Sequence, residues 1–431
     1  MIGEFFVKEP KDLVRKSVIY NLSANLLNAA ASVILLLFVT RFCGTSVAGV
    51  FSIGFSTAQM LLPIGQFGMR NFQASDVVGK YSQEDYIASR IITNIIMMIG
   101  AVGFVVVKGY YIEKALILLV LCLLKVTDAF DDVFGGYYQL NNRLDLAGKM
   151  QVIRISLYCI GFFITLGITK NVLLSCLVAV IISLIALIVM VAMIKSLFSV
   201  VKPKFVWAKQ RQLLIDCLPL CIGAFLVLYM GNAPKYAIDA YMASEYQAIY
   251  NYLFMPCYVI CLFMSFVLQP LLVKMSKNWV SKKFSAFKKT CLLIIGAALL
   301  LSVFVIVVGH FLGCPVLGWL YGVDLSSYQF PFTVLLVGGA GYALAIVVQT
   351  ILTVMRHQYI ILLGFAISSV LVSTMAPMLV QADGITGAAW SYVTASGALF
   401  VTLFICFLIC YIRDVKKEKT DNRKEKIYGS K

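Results

Sequence analysis

The sequence predicts an all-α polytopic membrane protein whose twelve transmembrane helices form two six-helix lobes around a central cavity. Three observations predict it. Hydrophobic residues make up 61% of the 431 and charged residues only 13%, against about 25% charged in a soluble domain. Apolar runs of roughly twenty residues, enough to cross about 30 Å of hydrocarbon, recur along the whole chain. Lysine and arginine gather in alternate connecting segments, the asymmetry that orients membrane helices.

In order, the runs are 17–40, 48–69, 90–107, 113–138, 150–169, 172–195, 211–233, 248–272, 287–309, 330–354, 358–380 and 386–412. The first follows Lys8, Lys11, Arg15 and Lys16 and is too long for the apolar core of a signal peptide, so it reads as a retained span. Breakers mark several others: Pro63, Pro219, Pro256, Pro270, Pro377 and Gly338-Gly339-Ala-Gly341. Each alone favours packing over hinging; together they suit helices that bend. With the N-terminus inside, 29 Lys and Arg residues fall in cytoplasmic segments and five outside, namely Arg41, Lys108, Lys114, Lys170 and Lys235. Both termini are therefore expected to be cytoplasmic.

A basic segment containing Pro203 divides the spans six and six. The expected organisation is an N-terminal lobe over 1–195, a connector over 196–210 and a C-terminal lobe over 211–412. A basic tail over 413–431 is expected to be irregular and to lie against the anionic inner leaflet. Two six-span halves suit alternating access.

The most informative stretch is 110–154. Without leaving an apolar run it places Lys125, Asp128, Asp131 and Asp132 within eight residues. A charge at mid-bilayer costs about 2.5–3.5 kcal/mol on insertion scales, so these groups belong in a protein interior or a wet cavity. Lys125, Asp128 and Asp132 share a helical face by spacing, and Arg154 opens the next span. Neutralising pairs, Lys125–Asp128 and Asp132–Arg154, are one reading. The other is a cationic cavity for an anion, lined by Arg41, Arg70, Arg90, Lys125 and Arg154 with Asn232 and Lys235 from the second half. Asp128, Asp131, Asp132 and Asp239 then serve in ion coupling or charge pairing. Arg41 and Lys235 also suit snorkelling span ends.

Other chemistries find little support. The net charge of +16 reads as a topology signal and not as nucleic-acid binding. Cys217/Cys221, Cys257/Cys261 and Cys406/Cys410 have i, i+4 spacing, but no histidine is near and buried thiols pack as small apolar groups; no metal or other cofactor is expected. The two histidines, His310 and His357, fall at opposite membrane faces. No nucleophile elbow, zinc-protease or phosphate-loop motif occurs, so no catalytic residue is expected. Asp131-Asp132 resembles a metal-binding acidic pair, yet adjacent helical residues diverge by about 100°.

Several segments then resemble a known family. They are Val39-Thr-Arg41-Phe-Cys-Gly44, Phe67-Gly-Met-Arg70-Asn-Phe-Gln73, Tyr86-Ile-Ala-Ser-Arg90, and Lys125-Val-Thr-Asp128-Ala-Phe-Asp131-Asp132-Val-Phe-Gly-Gly136 with Arg143, Gly148 and Arg154. The second half adds Asn232-Ala-Pro-Lys235-Tyr-Ala-Ile-Asp239 and Gly384-Ile-Thr-Gly387-Ala-Ala-Trp390. Together they resemble bacterial O-antigen and capsular-polysaccharide flippases, a branch of the multidrug/oligosaccharidyl-lipid/polysaccharide exporter superfamily. The resemblance implies a non-enzymatic carrier in the bacterial cytoplasmic membrane. Its cargo would be an undecaprenyl-pyrophosphate-linked oligosaccharide, taken from inner to outer leaflet for surface polysaccharide synthesis. Membrane lipid, and glycosyltransferases or the polymerase of the same pathway, are the implied partners. The alternatives are a cation-coupled drug exporter of the same superfamily and, more remotely, a membrane polysaccharide polymerase. A polymerase usually needs an outer loop rich in Arg and His, and the longest outer loop here, about 310–329, has no Lys or Arg.

Overall fold

The computed structural model describes residues 9–10, 12–76, 79–194, 197–198 and 202–428. Within these, the side chains of 75, 258–259, 262–263, 265–270, 272–274, 358 and 417–428 are outside the description. Lys8, Lys11 and Lys195 of the orientation count, and the side chains of Pro270, Lys274 and the tail beyond Lys416, therefore lie outside the described residues.

The described chain is helical, with no strand among the described residues. The helices are α1 (Leu13–Cys43), α2 (Thr45–Gln66), α3 (Met69–Ser75), α4 (Gln83–Lys108), α5 (Ile112–Leu140), α6 (Leu144–Thr169) and α7 (Val172–Ile194). They continue with α8 (Trp207–Tyr241), α9 (Ser244–Val280), α10 (Phe284–Tyr321), α11 (Gln329–Val354) and α12 (Gln358–Tyr428). Inside α12, Asp383 and Gly384 leave helical geometry, Gly384 at φ 52°. That break separates the two spans expected at 358–380 and 386–412. Gly387 is needed just beyond it, because a Cβ there would collide with the Leu379 carbonyl.

Every predicted span thus has its helix. Among the described residues nine helical stretches are long and apolar enough to cross a membrane. Two sources of the shortfall are visible. α12 counts once for two helices, and α5 is disqualified by its own charges. The expectation of an irregular tail is corrected. Its backbone continues α12 as helix to Tyr428, since lysine, glutamate and arginine are good helix formers and extending an existing helix needs no new nucleus.

The chain forms two compact units, one of residues 1–228 with 243–248, the other of 229–242 with 249–431. The division falls inside α8, beyond the 196–210 connector. In the first unit α1 packs on α6, α2 on α5, and α7 on both α5 and α6. The α2–α5 contact is close because α2 offers small residues. Gly54 faces the Leu118 backbone, and a Cβ there would come within 3.3 Å of the Leu121 side chain. α1 approaches α6 at Gly148, where a Cβ would lie 2.7 Å from the Tyr20 backbone. In the second unit α10 packs on α11, and α11 on α12.

Candidate functional site

The charged residues of α5 divide between two neighbourhoods. In the first, Lys125 Nζ lies 2.8 Å from Asp128 and 4.8 Å from the ring centroid of Phe55 on α2, so the ammonium has both a carboxylate and an aromatic face. Arg154 of α6 reaches Asp128 at 2.7 Å and Asp131 at 3.0 Å. Its remaining N–H groups donate to the Thr127 and Ser183 hydroxyls at 3.1 and 2.9 Å, which are themselves 2.7 Å apart. Lys125 and Arg154 are 2% and 1% exposed. Two cations thus face two carboxylates in a dry interior, with the guanidinium fork filled.

Toward α2, α3 and α4 the balance differs. Arg90, fully buried, donates to Asp132 at 2.9 Å and to the Gly65 carbonyl at 2.7 Å. Thr93 donates to the same carbonyl at 2.7 Å. Gly65 O falls in the last turn of α2, where helical carbonyls lack helical partners and carry the negative end of the dipole. Phe67 and Gly68 end that helix at positive φ. α3 then lies against α5 because Gly135 and Gly136 leave room for Arg70 and Gln73. A Cβ on Gly135 would come within 3.4 Å of the Arg70 guanidinium carbon. Arg70 Nη1 stands 3.7 Å from Asp132, with its side chain 29% exposed. Two cations therefore share one carboxylate here.

The expected Asp132–Arg154 pair is corrected. Arg154 takes Asp128 and Asp131, while Asp132 goes to Arg90 and Arg70. The reason is the helical turn of about 100° between neighbours, which sends Asp131 and Asp132 to different helices. The Lys125–Asp128 pair forms as expected.

The far end of α3 is fixed by Asp76, whose carboxylate accepts from Lys80 N at 2.8 Å, Tyr81 N at 3.0 Å and Tyr86 Oη at 3.2 Å. Burial pushes this carboxyl up, but the hydrogen bonds outweigh it and hold it below the ordinary aspartate value. Lys80 donates to Asp216 of α8 at 2.8 Å, which raises the lysine. Lys209 pairs with Asp85 at 3.2 Å, and Asp85 also forms a capping box with Ser82 that starts α4.

Arg41 is exposed in the last turn of α1. In the second unit, Asn232, Lys235 and Asp239 follow one face of α8 by spacing. Asn232 and Lys235 are buried, and Lys235 Nζ lies 5.0 Å from the Phe254 ring centroid. The structure thus gathers Arg70, Arg90, Lys125, Asp128, Asp131, Asp132 and Arg154 in one unit and Asn232, Lys235 and Asp239 in the other. Sequence reasoning missed Phe55, Gly65, Thr93 and Ser183. Ser183 alone had a visible signal, a hydroxyl amid the most apolar run.

The fold is that of MATE transporters of the MOP superfamily. An inward-facing multidrug resistance MATE family transporter superposes with a TM-score of 0.66 at 15% identity, covering 91% of this chain and 96% of that one. A MATE structure in the bent conformation gives 0.56 at 15% identity, covering 97% and 98%. A MOP superfamily transporter from Pyrococcus furiosus, reported to have a binding pocket of reversed polarity, gives 0.57 at 13% identity over 95% and 97%. In sequence the chain is 22% identical over 325 residues to the capsular polysaccharide biosynthesis protein CapF of Staphylococcus aureus, spanning 75% of this chain and 81% of that protein. No family model matches. The chain is a multi-pass membrane protein with a transporter fold.

Proposed function

We propose that this protein is a lipid-linked oligosaccharide flippase of the bacterial cytoplasmic membrane. It moves undecaprenyl-pyrophosphate-linked repeat units from inner to outer leaflet by alternating access, both termini cytoplasmic, for surface polysaccharide synthesis. The observation that carries the reading is the charge balance around Asp132. Arg70 and Arg90 face one carboxylate, and Arg70, its side chain 29% exposed, stands at a loose 3.7 Å. An arginine so placed suits a pyrophosphate, which it can grip with two parallel N–H donors. Lys125 and Arg154, fully engaged, serve as packing pairs for the helix that carries Asp132. The similarity to CapF supports a polysaccharide role.

The second reading, a cation-coupled drug exporter, is favoured by the multidrug transporters that share the fold. A cationic drug needs a carboxylate to meet it. Asp128, Asp131 and Asp132 are each already paired with arginine or lysine, which weighs against this reading.

The test is the lipid-linked intermediate pool and surface polysaccharide of a deletion strain rescued by wild type or by Arg70→Ala. Full-length repeat units accumulating on the inner leaflet, relieved by wild type and not by Arg70→Ala at equal expression, are expected. Normal polysaccharide in the deletion strain, with altered drug sensitivity, would replace this reading by the exporter.

A further inference from the structure

A concave site lies in the second unit, at the end of α10 remote from Lys283. Phe311, Cys314, Pro315, Gly318 and Trp319 form one face of the last turns of α10, and Val323, Asp324, Leu325, Ser326 and Gln329 close over them, enclosing about 380 Å³. That volume is within the size range of small-molecule pockets. The loop is built to hold its shape. Gly322 at φ 72° caps α10, its N–H donating to Gly318 O at 2.8 Å. Val323 O comes so near Gly318 that a Cβ there would lie 2.9 Å away. Tyr321 stacks on Tyr252 with ring centroids 4.0 Å apart, and Leu325 is 1% exposed. Gln329 Nε2 donates to His310 O at 3.1 Å, and His310 Nδ1 is 2.8 Å from Thr333 Oγ1. Asp324 Oδ1 accepts from Ser326 N at 2.9 Å, which keeps that carboxylate below its ordinary value.

The lining has an unusual chemistry. Trp319 is 79% exposed and Phe311 68%, so broad aromatic faces stand beside a carboxylate, a hydroxyl and a carboxamide. None of the lining residues is Lys or Arg, so the pocket is unsuited to phosphate. An aromatic platform for ring C–H groups, ringed by planar acceptors and a hydroxyl for equatorial O–H groups, is the chemistry that recognises a pyranose.

We infer that this pocket is a saccharide subsite that takes an uncharged sugar ring. The inference rests on the flippase reading for its cargo. The pocket would hold glycan of the carried molecule. Trp319 stacks on the ring, and Asp324, Ser326 and Gln329 order its hydroxyls.

The test uses the full-length protein in lipid nanodiscs, with saturation-transfer NMR from protein to a panel of neutral saccharides: N-acetylglucosamine, its β-1,4-linked dimer, cellobiose, lactose and maltose. At least one should show transfer with wild type and with the control Trp207→Phe, at the start of α8 in the other unit. Trp319→Ala should weaken that binding about tenfold, the loss of one aromatic contact. Asp324→Asn, which keeps the shape, should weaken it severalfold. No transfer from any panel sugar, or transfer unchanged in both variants, overturns the subsite. So does phosphocholine displacing the sugar, which would make the pocket a headgroup site behind an interfacial tryptophan. Pyrophosphate binding is measured on the same preparation. Pyrophosphate bound without sugar overturns the subsite and leaves the flippase reading standing. Sugar bound at Trp319 without pyrophosphate keeps the subsite and overturns the lipid-pyrophosphate reading.

Discussion

Replacing Arg154 by methionine removes the guanidinium that contacts Asp128 at 2.7 Å and Asp131 at 3.0 Å, and takes an N–H donor from the Thr127 and Ser183 hydroxyls. Asp128 keeps Lys125. Asp131 has no other ion pair among the described residues and is 6% exposed. Removing one partner of a buried pair costs about 3–5 kcal/mol, because an uncompensated charge stays in a low-dielectric interior. For a chain of this size that corresponds to a fall of roughly 3–6 °C in unfolding temperature. Combining Arg154→Met with Asp131→Leu removes one charge of each sign and leaves Lys125–Asp128 intact. Stability should then return to within about 2 kcal/mol of wild type. Thermal unfolding of the purified protein, followed by size-exclusion chromatography, completes the cycle. If Arg154→Met unfolds with wild type, or the double variant is as damaged as the single, the pairing account of Arg154 is wrong.

Three further outcomes follow from the same geometry. On the flippase reading, Arg70→Lys should restore only part of the polysaccharide lost in Arg70→Ala, because an ammonium offers a point charge where a guanidinium offers a bidentate fork; full restoration, scored by surface polysaccharide at matched expression, would remove the bidentate grip. Gly148→Ala should lower stability by about 1–3 kcal/mol, since its Cβ would lie 2.7 Å from the Tyr20 backbone, whereas Gly100→Ala, with open space around it, should be neutral or slightly stabilising; thermal unfolding of the pair decides it. Asp76 sits below its ordinary value of 3.8, so its contribution is complete above that value and is lost as pH falls through the folded one. Asp76→Asn should be less stable at neutral pH and should flatten the acid limb of an unfolding-temperature profile.

The long helices were legible because each carries an apolar run of about bilayer length, whereas the seven-residue α3 carries no such run and was not foreseen. The break at Asp383–Gly384 was legible too, since the hydropathy dips there and glycine allows the positive φ. Boundaries were less so. α8 starts ahead of its apolar run, where Lys209 and Gln210 find partners on neighbouring segments. The α5 charge cluster stood out by its insertion cost, and the Lys125–Asp128 pair by its spacing. Which helix each further aspartate would face did not follow from spacing. It depends on the rotation of α5 against α4 and α6, set by small residues such as Gly54 on α2 and Gly135 and Gly136 on α5. Gly65 as a partner of Arg90 was equally hidden, since a backbone carbonyl becomes an acceptor only where the helix ends.

On the flippase reading, Asp132 has a part that the other carboxylates lack. Asp128 and Asp131 are matched by equal cationic charge, so an anion arriving there would have to break contacts of 2.7–3.0 Å in a dry interior. At Asp132 the stronger partner is Arg90, at 2.9 Å and also tied to the Gly65 carbonyl, and Arg70 is held only weakly. An incoming phosphate can take Arg70 while Asp132 keeps Arg90, so no carboxylate is stranded. When the phosphate leaves, Asp132 is there to accept Arg70 again. A carboxylate in that position lowers anion affinity, and that suits a carrier, which must release its cargo as well as hold it. On this reading the α5 charges that are costly to insert form the pair network that fixes the helix, and Arg70 of α3 is left available to the substrate.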